Sequence, residues 1–112
     1  MAKYLISFPS RAMQLGAEEL VAAGVDSRTV IEQAKAAGVY VFAGGIDERA
    51  APVLVAADGS TTPNIYPDSH LNGGFTVLDV STREEAVAWA GKLAAACRCS
   101  QELRAFLYDP AS

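Results

Sequence analysis

His70 is the only histidine in a chain of 112 residues, and imidazole is the side chain whose unperturbed pKa lies near neutrality. It stands in the run Pro67-Asp68-Ser69-His70-Leu71-Asn72, with a carboxylate on one side and an amide on the other. That composition suits a general acid or base, His70, whose tautomer Asp68 would fix. The plainer alternative is a surface-loop histidine among residues chosen for turning. Ser10 and Arg11 follow the first apolar run, and a guanidinium there could pair with a substrate carboxylate. Ser10, Arg11 and Asn72 are therefore the candidate ligand-binding residues, against the ordinary reading of Arg11 as a solvated loop position.

Cys97 and Cys99 invite a metal or redox reading, and their spacing argues against it. Zinc takes four ligands, which only His70 and carboxylates could complete here. A redox pair normally has two residues between its cysteines, not one. Free thiols, no metal and no cofactor are expected. The pairs Gly44-Gly45 and Gly73-Gly74 have neither the spacing nor the lysine of a phosphate loop, so nucleotide binding is not expected either.

These residues need a scaffold. Residues 3–8 (KYLISF) are β-branched and aromatic and stop at Pro9-Ser10, which spells a strand. AEELVAA, between Gly16 and Gly24, reads as one or two helical turns. A second start follows: Asp26 as N-cap, with Val25 and Val30 placed as a hydrophobic staple, predicts a helix over 26–37 stopped by Gly38. Residues 39–43 (VYVFA) predict a strand that ends at Gly44-Gly45. PVLVAA, Asp58-Gly59 and then 60–62 predict a β-hairpin, since Asp-Gly tolerates the positive φ of tight turns. Residues 63–72 hold two prolines and several turn-formers and predict an irregular loop. Residues 75–80 (FTVLDV) predict a strand. Ser81 and Glu84 fit a capping box opening a helix over 82–96, whose stripe is Ala86, Trp89, Ala90, Leu93 and Cys97. Residues 102–108 (ELRAFLY) alternate as a last strand. Tyr40 and Trp89 are expected as core or interface anchors.

The order is β-α-β, hairpin, β-α-β: an α+β chain on the split βαβ plan of ferredoxin-like domains, with an inserted β-hairpin. Residues 1–112 make a single domain on this reading. Two helices cover one face of such a sheet, yet the strands carry apolar residues on both, so a second copy of the chain is the expected cover. The net charge of −4 and scattered lysines and arginines exclude nucleic acid as the main partner. No apolar run reaches the ~18 residues of a membrane span, and the opening residues lack a signal-peptide core. Two cysteines are too few for a secreted disulfide framework. A reducing, cytoplasmic setting is expected.

KYLISF, EQAKAAGVYV, AADGS and above all GGFTVLDVSTREEAVAWAGKL resemble the YCII-related family, and within it the DGPF-type branch. The resemblance spans nearly the whole chain. It implies a ferredoxin-like fold that dimerises through its sheets into an α/β barrel, with a cleft near the hairpin and the loop after it. Two departures bear on function. Where the branch reads Asp-Gly-Pro-Phe, this chain reads Thr61-Thr62-Pro63-Asn64-Ile65, and Pro67, Asp68, Ser69 and His70 stand at the downstream acidic and basic positions. The other branch pairs a histidine on the first helix with an aspartate, and Ser27 stands near that histidine's place. The functional expectation is a homodimer with a cleft for a small organic ligand, carrying metal-free proton transfer of an isomerase or lyase kind at His70 and Asp68. The alternative is a non-catalytic ligand-binding or accessory protein.

Overall fold

The computed structural model describes residues 1–69 and 71–112; His70 lies outside the described residues. Strand β1 (Ala2–Phe8) leads through a 3-10 turn to helix α1 (Ala17–Ala36) and strand β2 (Tyr40–Gly45). A hairpin of β3 (Leu54–Val55) and β4 (Thr61–Thr62) follows, then β5 (Gly74–Val80), helix α2 (Arg83–Cys97) and β6 (Glu102–Ala105). Four strands form one antiparallel sheet in the order β2-β5-β1-β6, and the hairpin forms a two-stranded sheet of its own. Each helix thus joins two parallel strands with a third lying between them. The fold is α+β, compatible with the split βαβ plan.

Register assigns the two sheet faces. Tyr4 pairs with Leu78, and Ile6 with both Thr76 and Leu103, so these side chains share a face. On it Tyr4, Ile6, Leu78 and Val80 form one core with Val30 and Ala34 of α1 and Ala86, Ala90, Leu93 and Ala96 of α2. The alanines at i, i+4 spacing let α2 lie close to the sheet. Trp89, expected in the core, is half-buried at its margin, with the Lys92 ammonium 4.8 Å from the ring centre.

The two helical pieces expected before Gly38 are a single helix of 20 residues. One interior glycine costs roughly 1 kcal/mol against alanine, and that does not outweigh an unbroken hydrogen-bond ladder anchored by Ala23, Val30 and Ala34. Asp26 is therefore no N-cap: it sits exposed in mid-helix, and Val25, 54% exposed, staples nothing. The expected stop holds. Gly38 takes φ +75, its N–H donating to Lys35 O at 3.0 Å while Val39 N–H donates to Ala34 O at 3.1 Å, a Schellman motif.

Helix α2 starts one residue later than its capping box suggested. Ser81-Glu84 and Thr82-Glu85 spell the same signal, and β5 runs to Val80, leaving Ser81 in the bend. Thr82 is the cap, its Oγ1 accepting from Glu85 N–H at 3.1 Å. Gly44 and Gly45, expected to end β2, belong to it and pair with Phe75 and Gly74. The last strand stops at Ala105 rather than Tyr108, with one more bond from Phe106 N–H to Lys3 O at 3.0 Å. The hairpin turns at the expected place but through a three-residue loop, Ala57-Asp58-Gly59, in which Gly59 alone takes a positive φ, +87; Asp58 Oδ1 accepts from Ser60 N–H and Oγ–H at 2.9 and 2.6 Å.

Candidate functional site

A cleft of about 760 Å³ lies between α1 and the helix-side surface of β1, β5 and β2. Val30 and Ala34 hold the later half of α1 against the core, while Leu20, Gly24, Ser27 and Ile31 face the strands across the opening. Phe8, Met13, Ile31 and Leu93 give the cleft an apolar lining. Its volume falls within the range of pockets that take drug-sized ligands.

Backbone features shape the floor. Between Tyr40 and Phe42 the pairing of β2 with β5 slips by one residue. The extra residue at Val41 resets the alternation, so that Tyr40 and Ala43 both face the cleft, and Ala43 N–H donates to Tyr40 Oη at 3.2 Å. At the far end Gly73 has φ +80, and a Cβ there would stand 2.0 Å from Phe8 O. At Gly74 a Cβ would meet the Phe8 ring at 2.6 Å. Glycine at both positions is what lets β5 begin beneath the Phe8 ring.

Charge sits on the rim. Arg28, Glu32 and Lys35 recur at i, i+4 and i+7, one stripe of α1 along the opening. Lys35 Nζ donates to Glu32 Oε1 at 3.3 Å and lies 5.1 Å from the centre of the Tyr40 ring. Arg28 makes no ion pair among the described residues. Deeper in, Thr76 is buried, and Ser27 Oγ donates to Gly24 O at 3.1 Å. Burial pushes the Cys97 thiol above the ordinary thiol value, with a smaller push from Cys99 and an opposing pull from Arg98. A thiol so placed is a poor nucleophile.

The sequence-derived candidates fall in different places. Ser10 lines the cleft, and its backbone N–H donates to Asn72 Oδ1 at 2.9 Å, so two of them meet. Ser10 Oγ also donates to Glu48 Oε1 at 3.2 Å. Arg11 is exposed on the 3-10 turn and is not among the lining residues, and Asp68 is exposed in the turn of the 63–72 loop. A second hollow of about 540 Å³ lies by the hairpin, walled by Ile46, Pro52, Leu54, Tyr66, Leu71 and Asn72. Cys97 and Cys99 are free, the first buried in the cleft wall. Arg28, Glu32 and Lys35 were not among the candidates that residue type alone suggests. Their helical spacing was visible, but a polar stripe on a helix reads equally as a solvated face.

No helix among the described residues is long and apolar enough to cross a membrane. No family model matches the chain, and no curated protein matches it.

Proposed function

We propose that the chain is a small-molecule-binding protein of the YCII-related, ferredoxin-like kind, working as a homodimer whose open sheet faces pack into an α/β barrel. The observation that carries this is the cleft between α1 and the sheet: apolar within, edged by charge along α1, and of a size for a modest organic molecule. It lies on the helix side, so pairing through the opposite face would leave it open. Its charged groups stand at the rim, and Glu32 is already engaged by Lys35. That arrangement favours recognition over proton transfer.

One observation favours the catalytic reading, in which His70 acts as acid or base with Asp68. Asn72, two residues after His70, ties that loop to the cleft wall through Ser10. A thermal-shift screen of small organic molecules separates the readings. Compounds that raise the melting temperature should lose their effect in Ala43→Phe, which fills the cleft. Hits that survive this substitution overturn the binding site. Turnover of a hit that disappears in His70→Ala establishes the isomerase- or lyase-like alternative, and unchanged binding without turnover rejects it.

A further inference from the structure

Two features of the α1 wall go beyond the presence of a cleft. The first is Gly24. Glycine in a helix interior is unfavourable, and here no packing explains it: a Cβ at Gly24 would meet nothing within 4 Å. The space that it leaves belongs to the cleft. The second is Arg28, one turn further on. Of the three charged rim residues, Glu32 and Lys35 engage each other and Lys35 also faces Tyr40. Arg28 alone is left without an ion pair among the described residues, and the stripe carries a net positive charge in a chain of net charge −4. A planar guanidinium beside an apolar cleft suits a carboxylate or sulfonate, which it can hold by two parallel hydrogen bonds.

We infer that the cleft takes an amphipathic organic anion, its apolar body lying against α1 at Gly24 and its acidic group held by Arg28. The inference rests on the cleft being the ligand site. Gly24 is then a specificity-determining position, where the missing side chain gives the ligand room against the helix. Arg28 sets the sign of charge that is accepted. Ser27 supports the same wall, its hydroxyl turned back onto the Gly24 carbonyl.

Two dyes with one ring framework test this: 1-anilinonaphthalene-8-sulfonate and its uncharged counterpart N-phenyl-1-naphthylamine. Arg28→Gln should weaken the sulfonate dye about fivefold or more and leave the neutral dye within about twofold, the size expected for one partly solvated charge contact. Arg28→Lys should restore only part of the loss, because it returns the charge but not the pair of parallel donors. Gly24→Ala and Gly24→Leu should raise the melting temperature by roughly 5 °C, since both residues favour helix, while weakening both dyes progressively. If Gly24→Leu leaves both dyes unchanged, they bind elsewhere and the cleft itself is refuted as the site. If Gly24→Leu weakens both dyes but Arg28→Gln does not distinguish them, the cleft stands and the anion inference falls.

Discussion

Arg98 reaches from the end of α2 to Asp26 in the middle of α1, its Nη1 standing 2.9 Å from Oδ2. The same guanidinium approaches Glu19 Oε1 at 3.7 Å and donates to the Ala96 carbonyl. Asp26 and Glu19 lie two helical turns apart, so one side chain braces the first half of α1, which buries little beyond Ala23. The backbone of Arg98 is left-handed, with φ 57, the conformation that ends α2. Glycine is the usual residue in that position.

The two contributions of Arg98 can be separated by substitution. Arg98→Ala keeps the unfavourable backbone and removes the brace, and should destabilise by about 1 kcal/mol. Arg98→Gly removes the brace but relieves the backbone, and should fall within about 0.5 kcal/mol of the wild type. Urea midpoints measure both. Equal losses in the two variants would show that the left-handed turn stores no strain.

Gly73 and Gly38 share a positive φ, of +80 and +75, but not their surroundings. At Gly38 a Cβ meets nothing within 4 Å, so Gly38→Ala should cost only the backbone penalty of about 1 kcal/mol. At Gly73 a Cβ lands 2.0 Å from Phe8 O and 2.8 Å from Ser10 N, backbone atoms that cannot swing away. Gly73→Ala should therefore cost about 3 kcal/mol or more, or prevent folding. Chemical denaturation of both variants tests this, and similar costs would mean that β1 and β5 separate more readily than their register implies.

The strands, the second helix and the hairpin were legible because each rests on local chemistry: the β-branched and aromatic run KYLISF, small residues at helical spacing after Thr82, Asp58-Gly59 at the turn. The first helix was not legible as one piece, since Asp26 after Gly24 looks like a start, and only its pairing with distant Arg98 and the packing of Ala23 reveal otherwise. The site was less legible still. His70 and Asp68 drew attention by chemical type, whereas the cleft is built by a helix standing off a sheet. That is a tertiary fact, and the sequence of Arg28, Glu32 and Lys35 does not announce it.

The thiols give a pH prediction. Burial raises Cys97, and to a lesser degree of enclosure Cys99, above the ordinary value of 9.0. The folded state then holds the thiol proton more tightly than the unfolded chain does. Its contribution to stability is intact below the unfolded pKa and is lost as pH rises through it toward the folded value. The loss should appear above about pH 9 and be smaller in Cys97→Ala than in the wild type. Urea midpoints at neutral and alkaline pH measure it. An identical alkaline loss in the variant would assign it to other groups.

A second copy of the chain is expected on the sheet face opposite the helices. Leu5, Phe75, Val77 and Phe42 share it by register, with Phe42 59% exposed. Asp79 lies on the same face, and its Oδ1 is buried without a donor. The chain exposes 7666 Å², whereas the scaling for compact monomers of its 11.7 kDa gives about 5,900 Å². Its radius of gyration, 15.7 Å, likewise exceeds the roughly 13 Å of a compact domain of this length. The excess is comparable to what a stable homodimer buries on each subunit, and the apolar patch is the natural place to bury it. Light scattering at micromolar concentration should give twice 11.7 kDa. Phe42→Glu removes no core side chain, so it should halve that mass and leave the circular dichroism spectrum unchanged. A wild-type monomer at that concentration refutes the dimer. A dimer that tolerates Phe42→Glu moves the interface off the sheet, leaving the exposed Val53, Val55 and Tyr66 of the hairpin region as the surface to test next.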